Sequence, residues 1–162
     1  MKHEAKEIDY RLLKITSAAF KERELIPVAY TCDGKNINPP LDIEDIPEET
    51  KCLALIVDDP DAPVNTWVHW LVWNIPVTHH IKENEVHGVE GTNDFQQYKY
   101  GGPCPPSGTH RYFFKVYALD TLLDLKPGSK KNELEKAMSN HILAFGTLTG
   151  LYKRRDKELM NI

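Results

Sequence analysis

The chain predicts a mainly β fold: a sandwich-like body carrying one or two helices. Three observations carry this. Eleven prolines and nine glycines are spread along 162 residues as punctuation between short apolar runs, the pattern of many short strands joined by turns. Three of those runs are apolar on both faces, as in central strands covered on each side. And only one stretch has a convincing helical period.

Taken in order, residues 13–20 (LKITSAAF) read as a first strand, behind a residue 1–12 extension that frays. Residues 24–34 (ELIPVAYTCDG) hold a second strand closed by an Asp-Gly turn. Residues 35–47 are turn-rich. The strongest strands are 52–57 (CLALIV), 67–76 (WVHWLVWNIP) and 110–119 (HRYFFKVYAL). Residues 77–109 are polar, with Gly and Pro gathered toward the end, and a connection this long is usually functional or partly disordered. The helix follows: Ser129 caps it, and Leu134, Ala137, Met138, His141 and Ile142 recur at helical spacing. Gly146 ends it, and residues 147–154 add a last strand.

The length fits one domain with a real core, spanning 1–162. A net charge of −4 and a pI near 6.0 speak against a nucleic-acid binder, which shows a basic stripe, and against docking on anionic membranes. No run approaches the ~18 apolar residues of an integral membrane segment, and the first 25 residues contain no signal-type apolar core. The expected location is the cytoplasm. Cys32, Cys52 and Cys104 form no CxxC motif. Cys32 and Cys104 both sit in turns and a bridge between them is open, but a reducing compartment favours free thiols.

Chemistry concentrates in two places. After the 52–57 strand, Asp58, Asp59 and Asp61 arrive within four positions, followed by His69. Period 2 places Trp67, His69, Leu71 and Trp73 on one face, and His110 with Tyr112 on one face of the later strand. The run GGPCPPSG before His110 has glycines that admit a ligand close to backbone N–H groups, stiffened by prolines. Two strands that begin with histidines behind Pro-containing loops suggest a pocket at one end of a sandwich. The plain alternative is that DPDAP is a turn and that the histidines are structural. His3, His79, His80, His87 and His141 are assigned no role: His3 frays, the next three are solvated, and His141 packs on the helix face.

Residues 58–76 (DDPDAPVNTWVHWLVWNIP) resemble the first signature of the phosphatidylethanolamine-binding protein family, also called the Raf kinase inhibitor family, and residues 100–120 (YGGPCPPSGTHRYFFKVYALD) resemble its second. TCDGKNINPPL, NDF and ELEKAMSNHILAFGTLTGLYKR extend the likeness over about residues 15–154, and the details are similar to the bacterial and archaeal branch. The resemblance implies a large central β-sheet packed on a smaller sheet, with peripheral helices. It implies an anion pocket for phosphate-type or phospholipid head-group ligands, formed by Asp59, His69, His110 and Tyr112, with Gly102 and Pro106 at its rim and Asp61 bracing the loop. It implies no cofactor and no catalytic residue. It also implies a regulatory role, a protease or kinase as a protein target, and a homodimer. The loop between DPDAP and Trp67 is shorter than in animal members, and the C-terminal helix that gates their pocket is not carried over.

In this expectation the histidines are the positive charge, so affinity for a phosphodiester falls as pH rises from about 5.5 to 8. A rival class is a metal-dependent hydrolase using Asp59, His69 and His110 as a two-histidine, one-carboxylate set. No serine lies in a GxSxG setting, and Cys104 between turn prolines is a structural residue before it is a nucleophile.

Overall fold

The computed structural model describes residues 11–155; the expected fraying of the first residues, His3 among them, lies outside the described residues. Nine strands and one α-helix follow one another: β1 (Arg11–Leu12), β2 (Lys14–Thr16), β3 (Leu41–Glu44), β4 (Cys52–Asp59), β5 (Trp67–Ile75), β6 (His80–Ile81), β7 (Val89–Glu90), β8 (His110–Leu119), α1 (Lys131–Met138) and β9 (Ile142–Tyr152). They form a six-stranded sheet in the order β1-β9-β8-β4-β5-β7 and a three-stranded sheet in the order β2-β3-β6. The fold is mainly β, a large sheet packed on a small one, as the sequence predicts. Among the described strands, only the β1–β9 pair is parallel.

The large sheet is buried on both sides, which is why its central strands are apolar throughout. One face meets the small sheet: Leu53, Leu55, Val57, Trp70, Val72, Tyr112, Phe114 and Val116 pack against Ile15, Leu41, Ile43 and Ile81. The opposite face is covered by α1 and the segment before it, where Ala54, Ile56, Leu71 and Trp73 meet Leu123, Leu134 and Met138. Along β8 the alternation is visible residue by residue, with His110, Tyr112, Phe114 and Val116 buried and Arg111 exposed.

Several local expectations are corrected. The helix starts at Lys131 and not behind a Ser129 cap, because the Ser129 hydroxyl donates to the Lys126 carbonyl while Glu133 accepts from the Lys130 N–H. It stops at Met138, since Asn140 adopts a left-handed conformation (φ 68°) that ends helices. His141 therefore lies outside the helix, paired with Asp120, and Ile142 opens the long strand β9. Gly146 sits inside that strand: a Cβ there would stand 2.3 Å from the Leu13 carbonyl oxygen, so glycine permits the close approach of a neighbouring backbone. Residues 24–34 form no named strand but a short 3-10 helix, Val28–Tyr30, entered through Pro27. Turn-rich 35–47 contains β3, and the 77–109 connection contains β6 and β7. Arg11 and Leu12, placed in a fraying extension, pair with β9 as β1.

Cys32 and Cys104 are joined in a disulfide with 5.4 Å between their Cα atoms. The free-thiol expectation came from compartment chemistry alone, and the fold overrides it by bringing the two turns side by side: the Cys32 N–H donates to the Pro103 carbonyl at 3.1 Å. Cys52 is a buried free thiol.

Candidate functional site

Strand direction assembles the site. β4 runs antiparallel to both β5 and β8, so its C-terminal end meets the beginnings of both: Asp59 pairs with Trp67, and Asp58 with Val68 and Phe113. Asp59, His69, His110 and Tyr112, scattered over 54 positions of sequence, thereby reach one end of the sheet and line one cavity of about 230 Å³. Ala62, Pro63, Trp67, Phe95, Cys104, Pro105 and Pro106 complete its wall.

Period 2 does not hold through β5. Val57 pairs with Trp70 and Asp58 with Val68, leaving His69 as an extra residue. This bulge puts His69 and Trp70 on the same, inter-sheet side, while Leu71 and Trp73 turn to the helix side. The segment 93–101 takes up the interrupted ladder. Asp94 accepts the Val68 N–H at 2.6 Å, and the His69 carbonyl accepts from Gly101 N at 3.0 Å and from Asn93 Nδ2 at 3.2 Å. Asn93 is buried, and its Oδ1 also accepts from the N–H groups of Phe95 and Gln97. That turn holds Phe95 edge-on to both His69 (5.3 Å) and Trp67 (5.5 Å).

Both histidines are fixed through Nδ1. His110 Nδ1 donates to Asp59 Oδ2 at 2.6 Å, with both side chains almost fully buried. The other Asp59 oxygen accepts the Asp61 N–H at 2.7 Å. His69 Nδ1 donates to the Gly101 carbonyl at 2.6 Å, so the neutral ring presents Nε2 as a bare acceptor. Burial, the largest influence, holds the His69 pKa below its usual value, against the pull of Gly101, Asp59, Gly102 and Asp58. The two rings flank Tyr112, His69 edge-on at 5.2 Å and His110 stacked at 6.4 Å. The Tyr112 hydroxyl is buried and has no hydrogen-bond partner among the described residues. Its pKa is raised, first by burial and then by Asp59.

Asp61 stands outside the cavity and clamps the loop. It receives Arg111 Nε and Nη2 at 2.9 and 2.8 Å and the Arg111 backbone N–H at 2.9 Å. These bonds hold its pKa at about 2. Pro106 lines the cavity, and the Gly102 backbone lies beside the His69 ring. The Gly102 N–H is taken by Asn36 Oδ1 at 2.7 Å, and a Cβ there would lie 2.4 Å from the Tyr30 carbonyl oxygen; the glycine lets the 101–106 segment lie flat against the 30–36 loop. Trp67, Phe95, Pro63 and Pro105 are wall residues that sequence reasoning missed. The NDF run at 93–95 was a signal for Phe95, since Asn and Asp bond nearby backbone and so present the residue beside them.

Among the described residues, no lysine or arginine lines this cavity, and the titratable groups that do are Asp59, His69, His110 and Tyr112. A second cavity of about 230 Å³ holds His80 and His87, but these are exposed and paired with Asp42 and Glu85.

The family model for phosphatidylethanolamine-binding proteins matches residues 16–153, taking in both strand ends and the 93–106 wall. The chain belongs to this family. Among members of the phosphatidylethanolamine-binding protein family, a UPF0098 protein of Pyrococcus abyssi is 51% identical over 150 residues, covering 86% of this chain and 84% of the relative. The crystal structure of a family homolog from Chlamydia trachomatis superposes with a TM-score of 0.86 at 39% identity, over 90% of this chain and 99% of that one. YbcL of E. coli superposes at 0.82 with 31% identity, over 88% and 99%. No described helix is long and apolar enough to cross a membrane.

Proposed function

We propose that this protein is a non-catalytic binder of small, phosphate-type anions, held in the cavity between Asp59, His69, His110 and Tyr112. The observation that carries the reading is the Tyr112 hydroxyl: buried, on a ring flanked by two imidazoles, and without a partner among the described residues. A buried donor left unmade costs about 1–3 kcal/mol, so the arrangement favours a ligand that accepts from it. His110, backed by Asp59, can add an Nε2–H donor in its imidazolium form. The remaining wall is apolar, and the partly exposed Trp67 and Phe95 in it suit an apolar substituent on the anion. Asp59 spends both oxygens on protein donors, which suits an orienting role and disfavours direct ligation of a metal.

Calorimetric titration with inorganic phosphate tests this. Wild type binds; Tyr112→Phe and His110→Ala each lose tenfold or more, about 1.4 kcal/mol; His141→Ala, remote from the cavity, is unchanged. Absence of phosphate binding, or equal binding by Tyr112→Phe and wild type, refutes the reading.

A further inference from the structure

We propose that the Cys32–Cys104 disulfide is a reversible thiol-exchange site whose redox state sets the order of the cavity wall: fixed when oxidised, loosened when a dithiol reduces it. The order of the wall stands apart from what the cavity holds; its effect on affinity rests on the anion-binding reading above.

The two half-cystines stand on unlike supports. Cys32 belongs to a loop tied at many points. Thr31 N and Thr31 Oγ1 donate to the Val28 carbonyl at 3.0 and 2.9 Å, and Thr31 Oγ1 accepts the Asp33 N–H at 3.2 Å. Asp33 in turn takes the Tyr152 hydroxyl at 2.6 Å and the Arg154 guanidinium through Nε and Nη2 at 3.1 and 2.9 Å. These bonds fasten the loop to the end of β9. From its other side, the Tyr100 hydroxyl donates to the Tyr30 carbonyl at 2.6 Å.

Cys104 belongs to a loop of the opposite kind. Pro103, Pro105 and Pro106 have no N–H to give. The Pro103 carbonyl accepts the Cys32 N–H at 3.1 Å, and residues 104–109 make no hydrogen bond to another described residue. Gly108 adopts φ 68° with open space where a Cβ would stand, so the chain is free to swing there. Yet this loop supplies Cys104, Pro105 and Pro106 to the cavity wall and leads directly into His110. Apart from the packing of the buried Pro105, the disulfide is what carries the rigidity of the Cys32 loop across to the wall.

Both half-cystines are partly exposed, and Cys104 lines the cavity, so a small thiolate can reach the bond in the folded protein. The exchange balances with a dithiol as reductant. Its thiolate attacks one sulfur, the S–S bond breaks, and the other cysteine leaves as a thiolate that takes up a proton. The second thiol of the reductant, deprotonated, then attacks the mixed disulfide and releases the remaining cysteine. Two electrons pass to the protein, and the dithiol becomes a disulfide. Cys52, buried in the helix-side core, takes no part.

The experiment compares the full chain oxidised and after dithiothreitol. Order parameters from amide nitrogen relaxation read the wall at Cys104 and Thr109. They should stand near about 0.85 in the oxidised protein and fall below about 0.6 on reduction, while Asp33 and Gly34 stay near about 0.85 in both states. Affinity for inorganic phosphate should fall at least about fivefold on reduction, the effect of having to order the backbone of one more residue. Cys32→Ser with Cys104→Ser should match the reduced wild type in both readouts and ignore dithiothreitol. Reduction of the native protein should be first order in dithiothreitol throughout, because attack does not wait for unfolding. Equal order in the two states, loss of order at Asp33 as well, unfolding on reduction, or a reduction rate that saturates overturns the inference and leaves the bond a structural staple. A phosphate affinity unchanged by reduction overturns it too. If phosphate binds neither form, the anion-binding reading falls, and the order parameters and reduction kinetics alone decide the switch.

Discussion

Asp58 and Asp59 are neighbours in sequence and face opposite sides of the central sheet. On the helix side, Asp58 Oδ2 takes both Lys115 Nζ at 3.0 Å and Lys131 Nζ at 2.9 Å, tying β4 to β8 and to α1. On the inter-sheet side, Asp59 orients His110. One carboxylate holds the fold and the other serves the cavity. Asp58→Ala leaves two partly buried ammonium groups unpaired and should destabilise the protein by about 3 kcal/mol in urea unfolding, while phosphate affinity holds. The triple change Asp58→Leu, Lys115→Met, Lys131→Met should recover most of that loss, because a buried ion cluster is often replaceable by apolar side chains.

Tyr112→Phe separates stability from binding in the other direction. The hydroxyl is buried without a partner among the described residues, so its removal should leave the unfolding midpoint unchanged or slightly raised. Phosphate binding should weaken all the same. A marked loss of stability would mean that the hydroxyl has a structural partner in the free protein.

The disulfide closes a loop with a sequence separation of 72. In the chain-entropy account this stabilises by up to about 4 kcal/mol. Cys32→Ser with Cys104→Ser should lower stability by about 2–4 kcal/mol, and reductant should shift the wild type by the same amount and the variant not at all. Thiol titration of the unfolded protein without reductant should find one thiol, Cys52, and with reductant all three cysteines.

Asp61 contributes at acid pH. Hydrogen bonds from Arg111 hold its folded pKa at about 2, below the ordinary 3.8, so the clamp is fully present above about pH 4 and is lost as pH falls toward 2. Arg111 is half exposed, which limits the effect to below about 1 kcal/mol. The stability gap between wild type and Asp61→Asn should be seen at pH 6 and vanish near pH 2.

His69 acts at higher pH with the same sign. Its folded pKa lies below the unfolded value of about 6.5, because burial disfavours the charged ring. Its neutral form therefore supports the fold above pH 6.5, and this support is lost as pH falls from there through the folded pKa. Wild type should lose stability relative to His69→Asn between pH 7.5 and 5, measured by thermal unfolding in matched buffers.

The sequence by itself determined the central strands, because a run such as 52–57 can be satisfied only by burial on both faces. It determined the alternation of β8, where His110 and Tyr112 share a side, and it singled out Asp59, His69, His110 and Tyr112 together. Tertiary structure decided what one strand's period cannot carry. The bulge that re-aims His69 depends on Asp94 and Asn93, more than 20 positions away, taking over the broken ladder. The tautomer of His69 depends on the Gly101 carbonyl. Gly102 is fixed by Asn36 and lies against the Tyr30 carbonyl, and Cys32 found Cys104 across 72 positions. Hydrophobic periodicity is local and survives in the sequence. Hydrogen-bond partnership at the end of a sheet is long-range, and only the folded chain specifies it.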